Sequence, residues 1–64
     1  LPALLWADKV AERTERAGRP FEATESPDAS VGERLLGLVL EARASGVDPE
    51  QALRSAVRDR LRNP

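Results

Sequence analysis

The absence of several residue types already narrows what this 64-residue sequence can do. It contains no cysteine, which excludes disulfide bonds and thiolate metal sites. It contains no histidine, so neither an imidazole base nor an imidazole metal ligand is available. No apolar run approaches the roughly 18 residues that a transmembrane helix requires. We therefore expect a soluble protein located in the cytoplasm.

Aromatic residues and net charge are also scarce. The sequence has one Trp, one Phe and no Tyr, and its 10 basic residues against 11 acidic ones give a net charge of −1. This balance supplies no general attraction to nucleic acid or to an anionic membrane. A chain of this length lies near the lower limit for a self-sufficient core. Because it begins with Leu1 rather than Met, we expect a piece of a longer polypeptide.

Apolar periodicity and turn residues predict an all-α fold of three helices in a single domain covering 1–64. We expect helices at about 2–17, 31–45 and 49–62, with residues 18–29 as a linker that Phe21 anchors on the core. Pro2 suits the first position of helix 1, and Gly18 suits the position just beyond its end. Between helices 2 and 3, Gly46, Asp48 as N-cap, Pro49 at N1 and Gln51 at N3 predict an αα-hairpin.

The apolar residues predict which side of each helix faces the core. One face of each helix is expected to point inward: Leu4, Ala7, Val10, Ala11, Thr14 and Ala17; Val31, Leu35, Leu38, Val39 and Ala42; Leu53, Ala56, Val57 and Leu61. Helix 2 has a second apolar face, formed by Leu36 and Leu40. We therefore expect a homodimeric helical bundle with Leu36, Leu40 and Trp6 in the dimer interface.

Two segments of the sequence resemble a known enzyme family. "LPALLWADKVAERTERAG" and "VGERLLGLVLEARASGVDPEQALRSA" are similar to the C-terminal domain of MazG-type nucleoside triphosphate pyrophosphohydrolases, in which an LPAL segment opens a helix and GVDPE joins the final helix pair. The resemblance implies an all-α, dimeric or larger protein that cleaves nucleoside triphosphates to the monophosphate and pyrophosphate. It also implies Mg²⁺ as the cofactor of the parent enzyme.

The sequence departs from that family at the residues that bind Mg²⁺ and phosphate. The family holds Mg²⁺ with an EExxE helix and an ExxD pair, but EExxE does not occur here, and the ExxD pair falls on Ser30 and Glu33. The family's later Lys-Phe pair falls near Asp59 and Arg60. Because Mg²⁺ requires several oxygen ligands, we expect no catalytic residue, no cofactor and no hydrolysis in the fragment alone. Whether the protein is an enzyme then depends on residues outside this sequence.

Glu33 has three possible structural interpretations. With Ser30 it forms an S-x-x-E pattern, which is typical of a capping box at a helix start. Alternatively, Asp28 caps a helix that begins one turn earlier. In the third interpretation, Glu33 is a surviving metal ligand. We favour the capping role.

Two further patterns have a functional and a structural interpretation. Arg58 and Arg60 are candidate phosphate contacts, although cations near a helix C-terminus also stabilise the helix itself. The alternative to a domain of the MazG-type enzyme family is a stand-alone protein-interaction or DNA-binding helix-turn-helix module. The second helix of such a module would present Pro49, Glu50 and Gln51 to the bases, and this acidic edge repels phosphate. We therefore expect a non-catalytic dimerisation or regulatory domain that does not bind nucleic acid.

Overall fold

The computed structural model describes residues 2–63, and this part of the chain is all-α, without a strand. Helix α1 spans Ala3–Arg16, α2 spans Val31–Ala44 and α3 spans Pro49–Arg62. The three predicted helices are therefore confirmed, each with bounds within a residue of those expected. Leu1, the first residue of the LPAL segment, and Pro64 lie outside the described residues.

The two Gly-terminated helix ends have the same geometry. Gly18 and Gly46 have φ values of 75° and 71°, in the left-handed region that L-residues with a side chain rarely adopt. After α1, the Arg19 N–H donates to the Thr14 carbonyl at 2.8 Å; after α2, the Val47 N–H donates to the Ala42 carbonyl at 2.8 Å. These are Schellman motifs, which satisfy carbonyl groups left unpaired in the last turn.

The helix starts agree with the sequence at α3 and differ at α1. The Asp48 carboxylate accepts hydrogen bonds from the backbone N–H groups of Glu50 and Gln51 at 2.9 and 3.3 Å, with Pro49 at the first helical position. Pro2, expected at that position in α1, lies one residue earlier and is the N-cap. Its ψ of 143° is extended rather than helical, and its carbonyl accepts the Trp6 N–H at 2.9 Å.

The core is small and lies where α1 crosses α2. Ala11 and Val39 are completely or almost completely buried. Pro49 at the start of α3 is also buried, and it lines one small groove together with Val39. A methyl side chain at Ala11 lets the two helices approach closely. The linker rests on α2 at Gly37, where an added Cβ would lie 3.8 Å from the Ala23 Cβ. Phe21, the expected anchor, stays 39% exposed.

The prediction that the apolar face of α3 points inward is wrong. Leu53, Val57 and Leu61 are 52, 53 and 78% exposed, and every residue from 51 to 63 is exposed, including Ala56. The reason is that α3 contacts the other helices through its first turn and then projects from them. The radius of gyration is accordingly 13.0 Å, against about 11 Å for a compact domain of this length.

Helix α2 also presents a different side to solvent from the one expected. Val31, Leu35 and Leu38 were expected to point inward but are 62, 47 and 60% exposed. Leu36 and Leu40, the expected free face, are half-buried. The cause is the position of α1 and the linker, which cover α2 on the side of Leu36, Val39 and Leu40.

The helix-end glycines provide the first testable prediction. Gly46→Ala should destabilise the fold by about 1–2 kcal/mol, because Ala is strained at positive φ. Gly37→Ala is the matched control, since Gly37 is inside α2 and its added Cβ would make an ordinary van der Waals contact. It should stabilise the fold by about 0.5–1 kcal/mol. Urea unfolding followed by circular dichroism measures both changes, and equal effects of the same sign would contradict the assignment of Gly46 as a left-handed cap.

Candidate interaction surface

Arg43 near the end of α2 joins that helix to two carboxylates of α1. Its Nη1 lies 2.9 Å from Asp8 Oδ1 and 3.3 Å from the Asp8 carbonyl oxygen. Its Nη2 and Nε donate to the two carboxylate oxygens of Glu15 at 2.7 and 3.3 Å. The guanidinium therefore grips Glu15 in a bidentate manner while holding Asp8, which fixes the angle between the helices.

The pKa shifts within this cluster are caused by its own members. The Arg43 side chain is only 18% exposed. Hydrogen bonds from the Arg43 guanidinium, reinforced by its charge, lower the pKa of Glu15. The hydrogen bonds that the guanidinium donates to Glu15 and then to Asp8 raise the pKa of Arg43. Because the Arg43 guanidinium is already paired with two carboxylates, it holds the two helices together and is not free to bind a further anion.

Sequence reasoning missed this cluster, although a signal for it exists. Asp8 and Glu15 are seven residues apart, which places them on one face of α1 two turns apart. Such a pair of carboxylates suits a single long cation from a neighbouring helix. The sequence does not indicate which of its Arg residues fills that role, because the choice depends on how α1 and α2 cross.

The structure places Glu33 in the first turn of α2, next to the linker. Ser30 Oγ accepts the Glu33 N–H at 3.1 Å, so Ser30 is the N-cap and Asp28 is not. The Glu33 carboxylate was expected to bond backbone, but it accepts a hydrogen bond from the Thr24 hydroxyl at 3.1 Å. Glu33 thus ties the linker to α2. Within residues 2–63, no three acidic side chains come together as a possible metal site.

The molecule exposes an apolar surface that has two parts. We call the first part the α3 stripe: Leu53, Val57 and Leu61, which follow one another at helical spacing. We call the second part the linker groove, an open depression of about 750 Å³ between the linker and α2, lined by Ala23, Thr24, Glu25, Arg34, Gly37, Leu38, Leu40 and Glu41.

Leu38 and Leu53 connect the two parts. Leu38 lines the linker groove and also lines a smaller apolar groove of about 170 Å³ in which Leu53 takes part. A third groove of about 350 Å³ brings Trp6 and Leu36 together near the start of α2. Of the expected interface residues, Leu40 therefore lies in the linker groove, while Trp6 and Leu36 lie in a separate one.

The arginines of α3 lie along its apolar stripe. Arg58 borders the same surface groove as the stripe, and Arg60 is exposed in the last turn of α3. At the other end of α3, Pro49 is buried and the Glu50 carboxylate, 16% exposed, lies 3.2 Å from Arg54. The first turn of α3 is consequently packed and acidic, which does not favour base recognition in a DNA groove.

The chain is similar to part of a longer protein. The chain is 45% identical over 64 aligned residues to an uncharacterized 26.1 kDa protein in the blaB 3′ region of Streptomyces cacaoi. The alignment covers 95% of this chain and 26% of that protein, so the chain spans about a quarter of the length of the relative. No protein-family model matches the chain. No solved structure matches it.

Among the described residues, none of the helices has both the length and the apolar character needed to cross a bilayer.

The Ser30 cap and a Glu33 metal site make different predictions. Ser30→Ala should cost about 0.5–2 kcal/mol by removing the cap. Glu33→Gln should cost little, because the amide oxygen still accepts from Thr24. Thermal melts of both variants, with and without millimolar Mg²⁺, measure this. A Mg²⁺-dependent rise in melting temperature that Glu33→Gln removes would instead identify Glu33 as a metal ligand.

The lowered pKa of Glu15 predicts a pH dependence of stability. Because the folded state holds this pKa below its ordinary value of 4.5, folding favours the ionised carboxylate. Its contribution is complete above pH 4.5 and disappears as the pH falls below that value. Glu15→Gln should therefore be less stable than the unsubstituted chain at neutral pH, and the difference should shrink in acid.

The matched control for this measurement is Glu12→Gln. Glu12 pairs with Arg16 of the same helix at 2.7 Å and does not join α1 to α2, so its loss should matter less. Urea unfolding at a series of pH values provides the comparison. A Glu15→Gln deficit that persists unchanged well below pH 4.5 would show that the Arg43 cluster is not the cause.

Proposed function

We propose that this chain is a non-catalytic association domain of a MazG-type nucleoside triphosphate pyrophosphohydrolase. The parent protein converts a nucleoside triphosphate to the monophosphate and pyrophosphate with Mg²⁺, in the cytoplasm. The LPAL segment at the start of α1 and the GVDPE segment between α2 and α3 support this assignment. The 26% coverage of the relative fits a domain within a longer protein.

The non-catalytic part of the proposal rests on the carboxylates. A Mg²⁺–triphosphate site needs several oxygen ligands in octahedral array. Glu33 lies at the position of the family's ExxD pair, but Ser30 occupies the partner position and serves as the N-cap. The Glu33 carboxylate accepts a hydrogen bond from the Thr24 hydroxyl. These residues do not fit such a site, and we assign Mg²⁺ binding and catalysis to the rest of the parent protein.

The association part rests on one observation, the exposed apolar surface of α3. Helices of this length are marginal in water on their own and gain most of their stability from packing. Beyond its first two residues α3 is exposed along its whole length, and its stripe consists of large apolar side chains. A partner that covers the stripe would supply the missing packing. We propose that this partner is a second copy, which makes the chain a homodimer.

The second candidate function is a stand-alone helical protein-interaction module. The same exposed stripe favours it, since apolar surface of this kind marks a binding site in either case. The two functions differ in whether the complete gene product hydrolyses nucleotides.

Pyrophosphate release decides between them. The full-length product of the gene that encodes these residues should release pyrophosphate from nucleoside triphosphates in the presence of Mg²⁺. The 64-residue chain alone should not, and Glu33→Gln in the full-length product should leave the rate within about twofold, because Glu33 binds Thr24 rather than substrate.

Two results would contradict this proposal. An inert full-length product would favour the interaction module. Pyrophosphate release by the 64-residue chain that Glu33→Gln abolishes would show that its carboxylate still takes part in catalysis. A matched control is Glu12→Gln, since Glu12 pairs with Arg16 within α1 and lies away from both the Ser30 cap and the linker groove.

A further inference from the structure

The two parts of the exposed apolar surface carry opposite charge. The linker from Gly18 to Ser30 holds one basic residue against three acidic ones, Arg19 against Glu22, Glu25 and Asp28, and so has a net charge of −2. Helix α3 holds four arginines against Glu50 and Asp59, a net charge of +2. Helices α1 and α2 are each neutral by the same count. The linker, which forms one side of the linker groove, and α3, which carries the α3 stripe, therefore have opposite net charge.

The arrangement of charge along α3 matches an apolar seam with basic edges. At about 100° per residue, Arg58 and Arg60 flank the stripe on opposite sides of Val57. In the linker groove, Glu25 and Glu41 border the apolar floor formed by Gly37, Leu38 and Leu40, with Arg34 as the one basic lining residue. A basic-edged apolar helix and an acidic-edged apolar groove are complementary.

The two parts also adjoin each other in a way that suits a two-fold axis. They meet at Leu38 and Leu53, which share one small groove. A two-fold axis through this meeting point turns one copy so that its α3 stripe lies over the linker groove of the other, and the reverse contact follows by symmetry. Such an isologous interface closes on itself and leaves neither part uncovered.

The size of the exposed surface fits this arrangement. The accessible surface is 5219 Å² for a chain of 7.0 kDa, whereas a compact monomer of that mass has about 4,000 Å². The excess is about 1,200 Å² per copy by that scaling. A standard stable interface buries about 800 Å² per partner. Pairing would therefore reduce the accessible surface area of each copy to nearly that of a compact protein of the same mass.

We propose that two copies of this chain pair reciprocally, with the basic-edged α3 stripe of each copy lying in the acidic linker groove of the other. The proposal deepens the association role under the proposed function, and it does not depend on nucleotide hydrolysis. It places Leu38, Leu40, Leu53 and Val57 in the interface. Trp6 and Leu36, which line the separate third groove, lie outside it.

Charge reversal on each side separately tests the pairing. Variant one carries Arg58→Glu and Arg60→Glu in α3; variant two carries Glu25→Lys and Glu41→Lys in the groove. Each variant places like charges on both of its interfaces, so its dimer dissociation constant should rise at least about tenfold. In an equimolar mixture the reversed helix of one variant meets the reversed groove of the other, and dimers should return.

Sedimentation of the 64-residue chain across micromolar concentrations gives the readout, with circular dichroism to compare helix content. The matched control is Lys9→Glu with Arg13→Glu, an equal charge change in two exposed residues on the polar face of α1, which should leave the dimer unchanged. A chain with all four charge reversals should dimerise like the unsubstituted chain. This four-fold variant keeps the test decisive if one of the two double variants folds poorly.

Several results would overturn the proposal. An unsubstituted chain that remains a 7.0 kDa monomer at all concentrations would show that something other than a second copy covers the stripe. A dimer that the mixture and the four-fold variant both fail to restore would show that the helix and the groove do not meet. Failure of the pyrophosphohydrolase assignment would appear in the activity of the full-length product and would leave these sedimentation results unaffected.

Discussion

The ion-pair cluster of Arg43 with Asp8 and Glu15 fixes the arrangement of the molecule. Among residues 2–63, Ala11 and Val39 are the buried side chains of α1 and α2, and two such small side chains specify little about the angle between two helices. A bidentate guanidinium with further bonds to Asp8 does specify it, because its donors lie in one plane with fixed directions. Once α1 is set on α2, the sides of both helices that remain exposed are decided as well.

The exposed face of the protein follows from that crossing. Because α1 and the linker cover the side of α2 that carries Leu36 and Leu40, the side with Leu35 and Leu38 is left for another contact. The Schellman end at Gly46 and the Asp48 cap then direct α3 away from the pair after its first turn. The result is a small structural unit joined to a projecting helix, an arrangement consistent with the proposed association with a second copy.

Ser30 and Glu33 illustrate how the chemistry of a residue depends on its neighbours. Under the proposed assignment, these two positions correspond to a pair of carboxylates that bind metal in the family. With Ser30 in the partner position, the backbone of α2 takes the Ser hydroxyl as a cap, and the remaining carboxylate turns to Thr24 in the linker. The same two positions thus serve to start a helix and to hold down a loop.

The sequence by itself determined the local structure of this protein. Helix ends depend on residues within a few positions of each other, so Gly18, Gly46, Ser30 and Asp48 specify them without reference to the fold. The three helices, the hairpin turn and the capping hydroxyl of Ser30 were therefore predictable. The hydrogen bond from Thr24 to Glu33 was not, because the two residues are nine positions apart and the sequence leaves the path of the linker between them open.

Only the tertiary structure decided which apolar side chains are buried and which arginine joins the helices. Apolar periodicity shows that Leu53, Val57 and Leu61 share a face, but it does not show that the molecule itself supplies anything to cover that face. Likewise, the spacing of Asp8 and Glu15 indicates a common partner, and the crossing of α1 with α2 selects Arg43. Burial and ion pairing join residues about 30 positions apart, and the relative placement of helices that brings them together is a property of the whole fold.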